Sequence, residues 1–288
     1  MRLIEAIRTH SENSKPPDGK EYVSLSSLHV DRIAAQTNQT FREVEAEALR
    51  NNIVPERYSR NIGTVGIEGQ LKLLESRVAV VGAGGLGGTV LELLARFGIG
   101  KLAVVDKDVF ADSNLNRQIL SNMENLGEYK VVAGRKRVEI VNPSVDVEIW
   151  PAYAHQGNLP EIMAGCQVVV DALDSIPARF ALEKTAKNMG VPLVHGAIAG
   201  FLGQVMSIFP EDEGLMNVYD PEQPGESGIE KGLGTPCVTP FMVASLQASE
   251  VIKILLGWQG ICRNRLFIID MKKMVTDSIH FRSAPHAS

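Results

Sequence analysis

Arg77-Val-Ala-Val-Val81 runs directly into Gly82-Ala-Gly84-Gly85-Leu-Gly87-Gly88, and then into the apolar helical run Thr89–Phe97 (TVLELLARF). This stretch decides the fold. A short β-branched strand that turns through G-x-G-x-x-G into a helix is the unit that cradles phosphate in a doubly wound sheet. Gly82, Gly84, Gly85 and Gly87 allow a tight turn and a close approach of backbone amides to an anion. The helix N-terminus adds partial positive charge. The next apolar run, Lys101–Asp106 (KLAVVD), reads as a second strand. Asp106 ends it, where a carboxylate can accept hydrogen bonds from ribose hydroxyls.

The same grammar continues downstream. Residues 130–141 (KVVAGRKRVEIV) form an amphipathic helix stopped by Asn142-Pro143. Asp146–Trp150 and Gln167–Ala172 read as strands, 178–189 as a helix, and Pro192–His195 as the start of a fifth strand. Alternating strands and helices with β-rich apolar runs predict an α/β fold, a Rossmann-like doubly wound sheet that is mainly parallel and covered on both faces. Gly203–Phe209 and Arg265–Asp270 read as later strands, able to run antiparallel, with a helix over 240–256 between them. The sheet is therefore expected to be mixed, with a C-terminal strand pair.

Upstream the character differs. LIEAIR is helix-like, SENSKPPDGK is polar and reads as a loop, and Phe41, Val44, Ala48 and Leu49 recur at helical spacing within 26–50. Pro55 breaks that pattern. The expected organisation is a helical N-terminal extension over 1–54 and one α/β domain over 55–288.

The bulk numbers narrow the function. The 288 residues are 44% apolar and 22% charged, and 29 basic residues against 34 acidic ones leave a net charge of −5. That balance gives no general electrostatic attraction for nucleic acid. Cys166, Cys237 and Cys262 form no CxxC pair. Such a sparse, odd set suits a reducing cytoplasm better than a disulfide scaffold. The N-terminus lacks the apolar run of a signal peptide, and no eighteen uninterrupted apolar residues suggest a membrane span.

The residues after Asp106 are unusually polar: Asp106-Lys-Asp108-Val-Phe-Ala-Asp-Ser-Asn114-Leu-Asn-Arg117-Gln118. An arginine and amide side chains just past a ribose suit a triphosphate and have no evident use in hydride transfer. Lys130, in Gly127-Glu-Tyr-Lys130, starts a helix from which its charge can reach phosphate oxygens. Asp108 and Asp174 each have a second reading as a turn or helix cap, and His195 reads as structural.

Taken together, Arg57-Tyr-Ser-Arg60-Asn-Ile, the glycine loop, Asp106-Lys-Asp108, Ser-Asn114-Leu-Asn-Arg117-Gln118, Gly-Glu-Tyr-Lys130, Asp171-Ala-Leu-Asp174, His195-Gly-Ala and Ser245-Leu-Gln-Ala occur in one order over about residues 55–275. In this the chain resembles the ThiF/MoeB/HesA family, the bacterial relatives of ubiquitin-activating enzymes. The resemblance implies an ATP-dependent adenylyltransferase that activates the C-terminal carboxylate of a ubiquitin-like sulfur-carrier protein and releases pyrophosphate. Asp106 would hold the ribose, with Asp108 and Gln118 beside the nucleotide. Asn114, Arg117 and Lys130 would bind phosphates, and Asp174 would sit near Mg²⁺. Arg60 would reach a nucleotide, that of the neighbouring subunit in dimeric members. A homodimer is implied as well.

Two departures matter. Many relatives carry two CxxC pairs that hold zinc, and this chain has neither, so no zinc is expected. The resemblance implies the family's crossover loop in the acidic, Gly- and Pro-rich segment about 210–236. Cys237 follows it, in the region where some relatives use a cysteine covalently; it is also an ordinary packing residue. The alternatives are adenylation of another substrate (a peptide C-terminus or a tRNA base), an NAD(P)-dependent oxidoreductase, and a non-catalytic ATP-binding scaffold.

Overall fold

The computed structural model describes residues 2–15, 21–220 and 230–281. Helices are α1 (Leu3–His10), α2 (Ser27–Thr37), α3 (Phe41–Arg50), α4 (Ser59–Glu75), α5 (Gly85–Phe97), α6 (Lys130–Val141), α7 (Leu159–Ile162), α8 (Ile176–Asn188), α9 (Glu230–Leu233) and α10 (Val238–Leu256). Strands are β1 (Glu12–Ser14), β2 (Tyr22–Leu25), β3 (Ile53–Pro55), β4 (Arg77–Val81), β5 (Lys101–Val105), β6 (Asp146–Trp150), β7 (Val168–Asp171), β8 (Leu193–Ala199), β9 (Leu202–Ile208), β10 (Arg265–Asp270) and β11 (Val275–His280).

The main sheet has eight strands in the order β11-β10-β9-β8-β7-β4-β5-β6. Pairing is parallel from β8 to β6 and antiparallel from β8 to β11. This is the expected doubly wound, mixed sheet. Val78, Val80, Val168 and Val170 face the helices α5, α6 and α10, while Ala79, Val81 and Val169 face α7 and α8. Strands buried on both sides cannot alternate apolar with polar, which is why RVAVV and VVVD read as unbroken runs. α10 is long and apolar enough to cross a membrane by length and composition. Here its Val243, Ala244, Ala248 and Val251 are buried in the core beside α5.

Several boundaries shift. The helix expected at Thr89 begins at Gly85, and the one expected at Pro240 begins at Val238. The stretch 26–50 is two helices. α2 stops at Asn38, in the left-handed region at φ 52°, and α3 restarts with Thr40 and Glu43 capping one another reciprocally. No helix was expected over α4, because Gly63, Gly66 and Gly69 obscure its period; Gly66, at φ 72°, breaks it.

The N-terminal extension is helical and also carries a small sheet, β1-β2-β3. Glu12–Ser14, expected in a loop, pairs antiparallel with β2. Ala6, Ile7, Leu25, Val30, Ile33, Val44 and Ala48 form its core. A buried polar hub joins it to the rest. Glu45 of α3 is fully buried, meets Arg57 Nε at 3.0 Å, and accepts from the Tyr58 hydroxyl at 3.0 Å. Asn142, at the end of α6, donates to that hydroxyl and to the Ala95 carbonyl, each at 2.9 Å. Burial pushes the Glu45 carboxyl above its ordinary range, with Arg57 opposing the shift.

Candidate active site

Strand order reverses at β4: the chain leaves it for β5 on one side and returns to β7 on the other. Open α/β sheets bind ligands beyond the carboxyl ends of the strands at such a point. The register aligns Trp150, Val105, Val81, Asp171 and His195 in one row across the sheet. The residues that follow β4, β5, β6 and β7 therefore emerge at the same height and line one cleft of about 410 Å³. That size suits a small-molecule ligand.

The glycine loop forms its floor. Gly82 sits at φ +97°, and a Cβ there would stand 2.6 Å from the Ala172 carbonyl oxygen. A Cβ on Gly87 would collide with the Gly82 carbonyl, so this glycine lets α5 press against the turn. Gly84 and Gly85 face the cleft. Asp106 holds the loop in shape: one carboxylate oxygen accepts the Ala83 amide and the other the Asp108 amide, both at 2.8 Å. Each oxygen keeps a lone pair for a further donor.

Lys130, Arg117, Gln118 and Asp174 all line the cleft. Lys130 is almost fully buried and pairs with Asp108 at 3.1 Å. The Gln118 Oε1 is buried without a hydrogen-bond partner, a polar atom suited to an incoming donor. Arg117 Nη1 donates to Ser113 O and Asn116 Oδ1 at 2.6 and 2.8 Å. Asp174 is exposed, and α8 starts at Ile176 behind Ser175 with no side-chain cap. The helix-cap reading of Asp174 is thereby removed.

Other residues stand elsewhere. Asn114 is buried, accepts the Ala111 amide at 3.0 Å, and does not line the cleft; it shapes the turn that presents Arg117. Arg60 is exposed on α4 and is not among the residues that line the cleft. Cys237 is an exposed thiol at the N-terminal end of α10, two residues past the cleft-lining Thr235. Of the segment 210–236, residues 221–229 lie outside the described residues. Among the described residues no group of three or more His, Cys, Asp or Glu could hold a metal ion.

The structure adds residues that sequence reading missed. Lys107 and Tyr153 line the cleft mouth, with the Lys107 ammonium 5.4 Å from the Tyr153 ring centre. Arg179 lines it as well and is almost fully buried. Behind it His195, fully buried as expected of a structural residue, places Nδ1 2.7 Å from Asp171 Oδ2. Burial pushes the His195 imidazole below its ordinary range, against the opposing pull of Asp171. A window-by-window reading has no signal for Arg179 or Tyr153, since the one looks like an ordinary helix residue and the other like an ordinary loop residue.

The model of the ThiF family matches residues 58–288. The chain is 39% identical over 233 residues to the SAMP-activating enzyme E1 of Haloferax volcanii, covering 80% of this chain and 86% of that one. It is 40% identical over 212 residues to the sulfur carrier protein adenylyltransferase of Thermus thermophilus, covering 70% and 78%. Among solved structures, E. coli MccB with MccA-N7isoASN superposes with a TM-score of 0.69 at 18% identity, covering 97% of each chain. That likeness is one of fold.

Proposed function

The chain belongs to the ThiF family and is an adenylyltransferase, and from that premise we propose what it adenylates and how. The substrate is the C-terminal carboxylate of a ubiquitin-like sulfur-carrier protein. The carboxylate attacks the α-phosphorus of ATP, the bond to the bridging oxygen breaks, and pyrophosphate leaves behind an acyl-adenylate. The similarity to the sulfur carrier protein adenylyltransferase of Thermus thermophilus supports this reading.

The observation that carries it is the cleft itself. One pocket at the switch point joins a glycine loop, the Asp106 carboxylate, Lys130, Arg117, the unpaired Gln118 Oε1 and the exposed Asp174. Both reactants are anionic, so the enzyme must align them and neutralise charge rather than supply covalent chemistry. In this reading Asp106 accepts from the ribose hydroxyls, and the loop amides and α5 N-terminus receive phosphate oxygens. Lys130 and Arg117 offset their charge. Asp174 fits Mg²⁺, because this ion is commonly held by one or two carboxylates together with substrate phosphates, and a larger protein cage is not needed. Such an ion would supply further neutralisation at the phosphates. Arg60, exposed and outside its own cleft, is assigned to the partner's site of a homodimer. The three free thiols fit a cytoplasmic setting.

Carrier-dependent ATP–pyrophosphate exchange, measured across the small glycine-ended carriers of the same cell, tests the proposal. Exchange with one or more carriers is expected. Exchange with a short peptide but with no carrier would transfer the substrate assignment to peptides, and ATP binding with no exchange at all would make the chain a scaffold.

A further inference from the structure

The turn that carries Asp174 is held from beneath. Leu173 donates its amide to Asp171 Oδ1 at 3.0 Å, and its carbonyl accepts two bonds from Arg179, from Nε at 3.1 Å and from Nη2 at 2.6 Å. Both peptide groups of the residue preceding Asp174 are thus clamped. Arg179 Nε also lies 3.7 Å from Asp171 Oδ2. The remaining arm of Arg179 reaches away: Nη1 donates to the Tyr219 hydroxyl at 2.8 Å. That hydroxyl accepts from Gln204 Nε2 at 2.9 Å and stands 3.3 Å from His195 Nε2. With His195 donating from Nδ1 to Asp171, Nε2 is left to accept the Tyr219 proton.

We propose that Arg179 is a positioning residue that fixes the Asp174 turn and ties it, through Tyr219, to the segment following β9. The inference rests on the adenylation reading for its effect on catalysis, though not for the linkage. Arg179 is almost fully buried and spends three of its N–H groups on Leu173 and Tyr219, so it shapes the cleft wall rather than meeting the phosphates. A buried guanidinium needs a partner charge, and Asp171, itself fully buried, supplies it. Tyr219 follows the short turn Gly214–Asn217 that packs on α8, the helix bearing Arg179. A shift in that segment would therefore be felt at Asp174.

The test compares Arg179→Lys, Tyr219→Phe and the double variant in the full-length protein, by carrier-dependent exchange and by hydrogen–deuterium exchange of residues 171–176 and 214–220. Arg179→Lys should lower kcat about tenfold or more with the ATP KM within about threefold, the pattern of a displaced group rather than a lost ground-state contact. Tyr219→Phe should lose less, and the double variant should be no worse than Arg179→Lys alone, since both cut one linkage. Both peptides should lose protection together in either variant. A raised ATP KM with kcat intact would make Arg179 a substrate contact and overturn the proposal. Multiplicative losses, or protection lost in one peptide alone, would also overturn it. Should Arg179→Lys not fold, Tyr219→Phe carries the test, because it leaves the buried charge pair in place. A wild type that shows no exchange with any carrier removes the adenylation reading, while the protection data still decide the linkage.

Discussion

Asp174 is exposed and Arg117 half-buried; both line the cleft, and neither side chain belongs to the core. Their replacement should therefore separate activity from folding. Asp174→Asn and Arg117→Ala are each expected to lower carrier-dependent exchange by about a hundredfold or more, the usual cost of a lost contact to developing charge. Their melting temperatures should match the wild type; a melting loss as large as the activity loss would refute the assignment. His195 behaves in the opposite way, as a residue of stability. Its folded form is held neutral by burial, below the ordinary value of 6.5, whereas the unfolded chain titrates near that value. The contribution of the neutral form is complete above about pH 6.5 and is lost as pH falls through the folded value, by at most about 1.4 kcal/mol per pH unit. The melting temperature of the wild type should fall more steeply from pH 7 to pH 5 than that of His195→Gln, whatever their difference at pH 7. Parallel slopes would show that another group governs acid stability.

At the scale of elements, the seating of α5 on the end of β4 makes the phosphate loop. Two glycines there are asked for different things. A Cβ on Gly87 would strike the Gly82 carbonyl and crowd Ala172, so α5 would have to lift away. A Cβ on Gly84, at ordinary φ −80°, would meet nothing nearer than Gln118 Nε2 at 3.6 Å, yet it would stand in the cleft. Gly87→Ala should therefore cost about 1–3 kcal/mol or more of stability, the range for overpacking, together with nucleotide affinity. Gly84→Ala should melt normally and bind ATP more weakly. Denaturant melts and nucleotide titration check the pair. Equal melts for both variants would mean that α5 is seated less tightly than the Gly87 contact indicates.

At the scale of the whole molecule, Arg60 stands outside the cleft of its own chain while belonging to the motif Arg57-Tyr-Ser-Arg60. The same motif contributes Arg57 and Tyr58 to the buried hub with Glu45 and Asn142. The hub anchors the start of α4, so the position of Arg60 on the surface is set by the body of the protein. In a two-fold dimer the arrangement is reciprocal. Mixing Arg60→Ala with Arg117→Ala should then form heterodimers with one complete site, restoring about half the activity per dimer if the arginine acts in trans as arginine fingers do. Subunit exchange is followed with differently tagged chains. No recovery despite proven exchange, or a monomer at assay concentration, would assign Arg60 a role outside the partner's site.

Much of the fold and part of the site were legible in the residues alone, and the boundary between legible and hidden has a physical cause. The strand–glycine–helix unit at Arg77–Phe97, the acid at Asp106 and the placement of Lys130 on the first turn of a helix are local. Sterics at glycine, the periods of strand and helix and the spacing along one chain determine them within short windows. The capping pair Thr40 and Glu43 was equally local and marked the break between α2 and α3, although the longer helical pattern masked it. What no window contains is which strands become neighbours. β7 pairs with β4, some ninety residues earlier, and only that pairing brings the Asp171–Asp174 turn beside the glycine loop. The burial of Arg179 against Leu173 and Tyr219, the arrival of Tyr153 at the cleft mouth, and the removal of Asn114 from it follow from the same long-range packing. Residue types and their local spacing set the chemistry available; folding set which of those groups meet, because burial and strand register are properties of the folded chain and not of any segment of it.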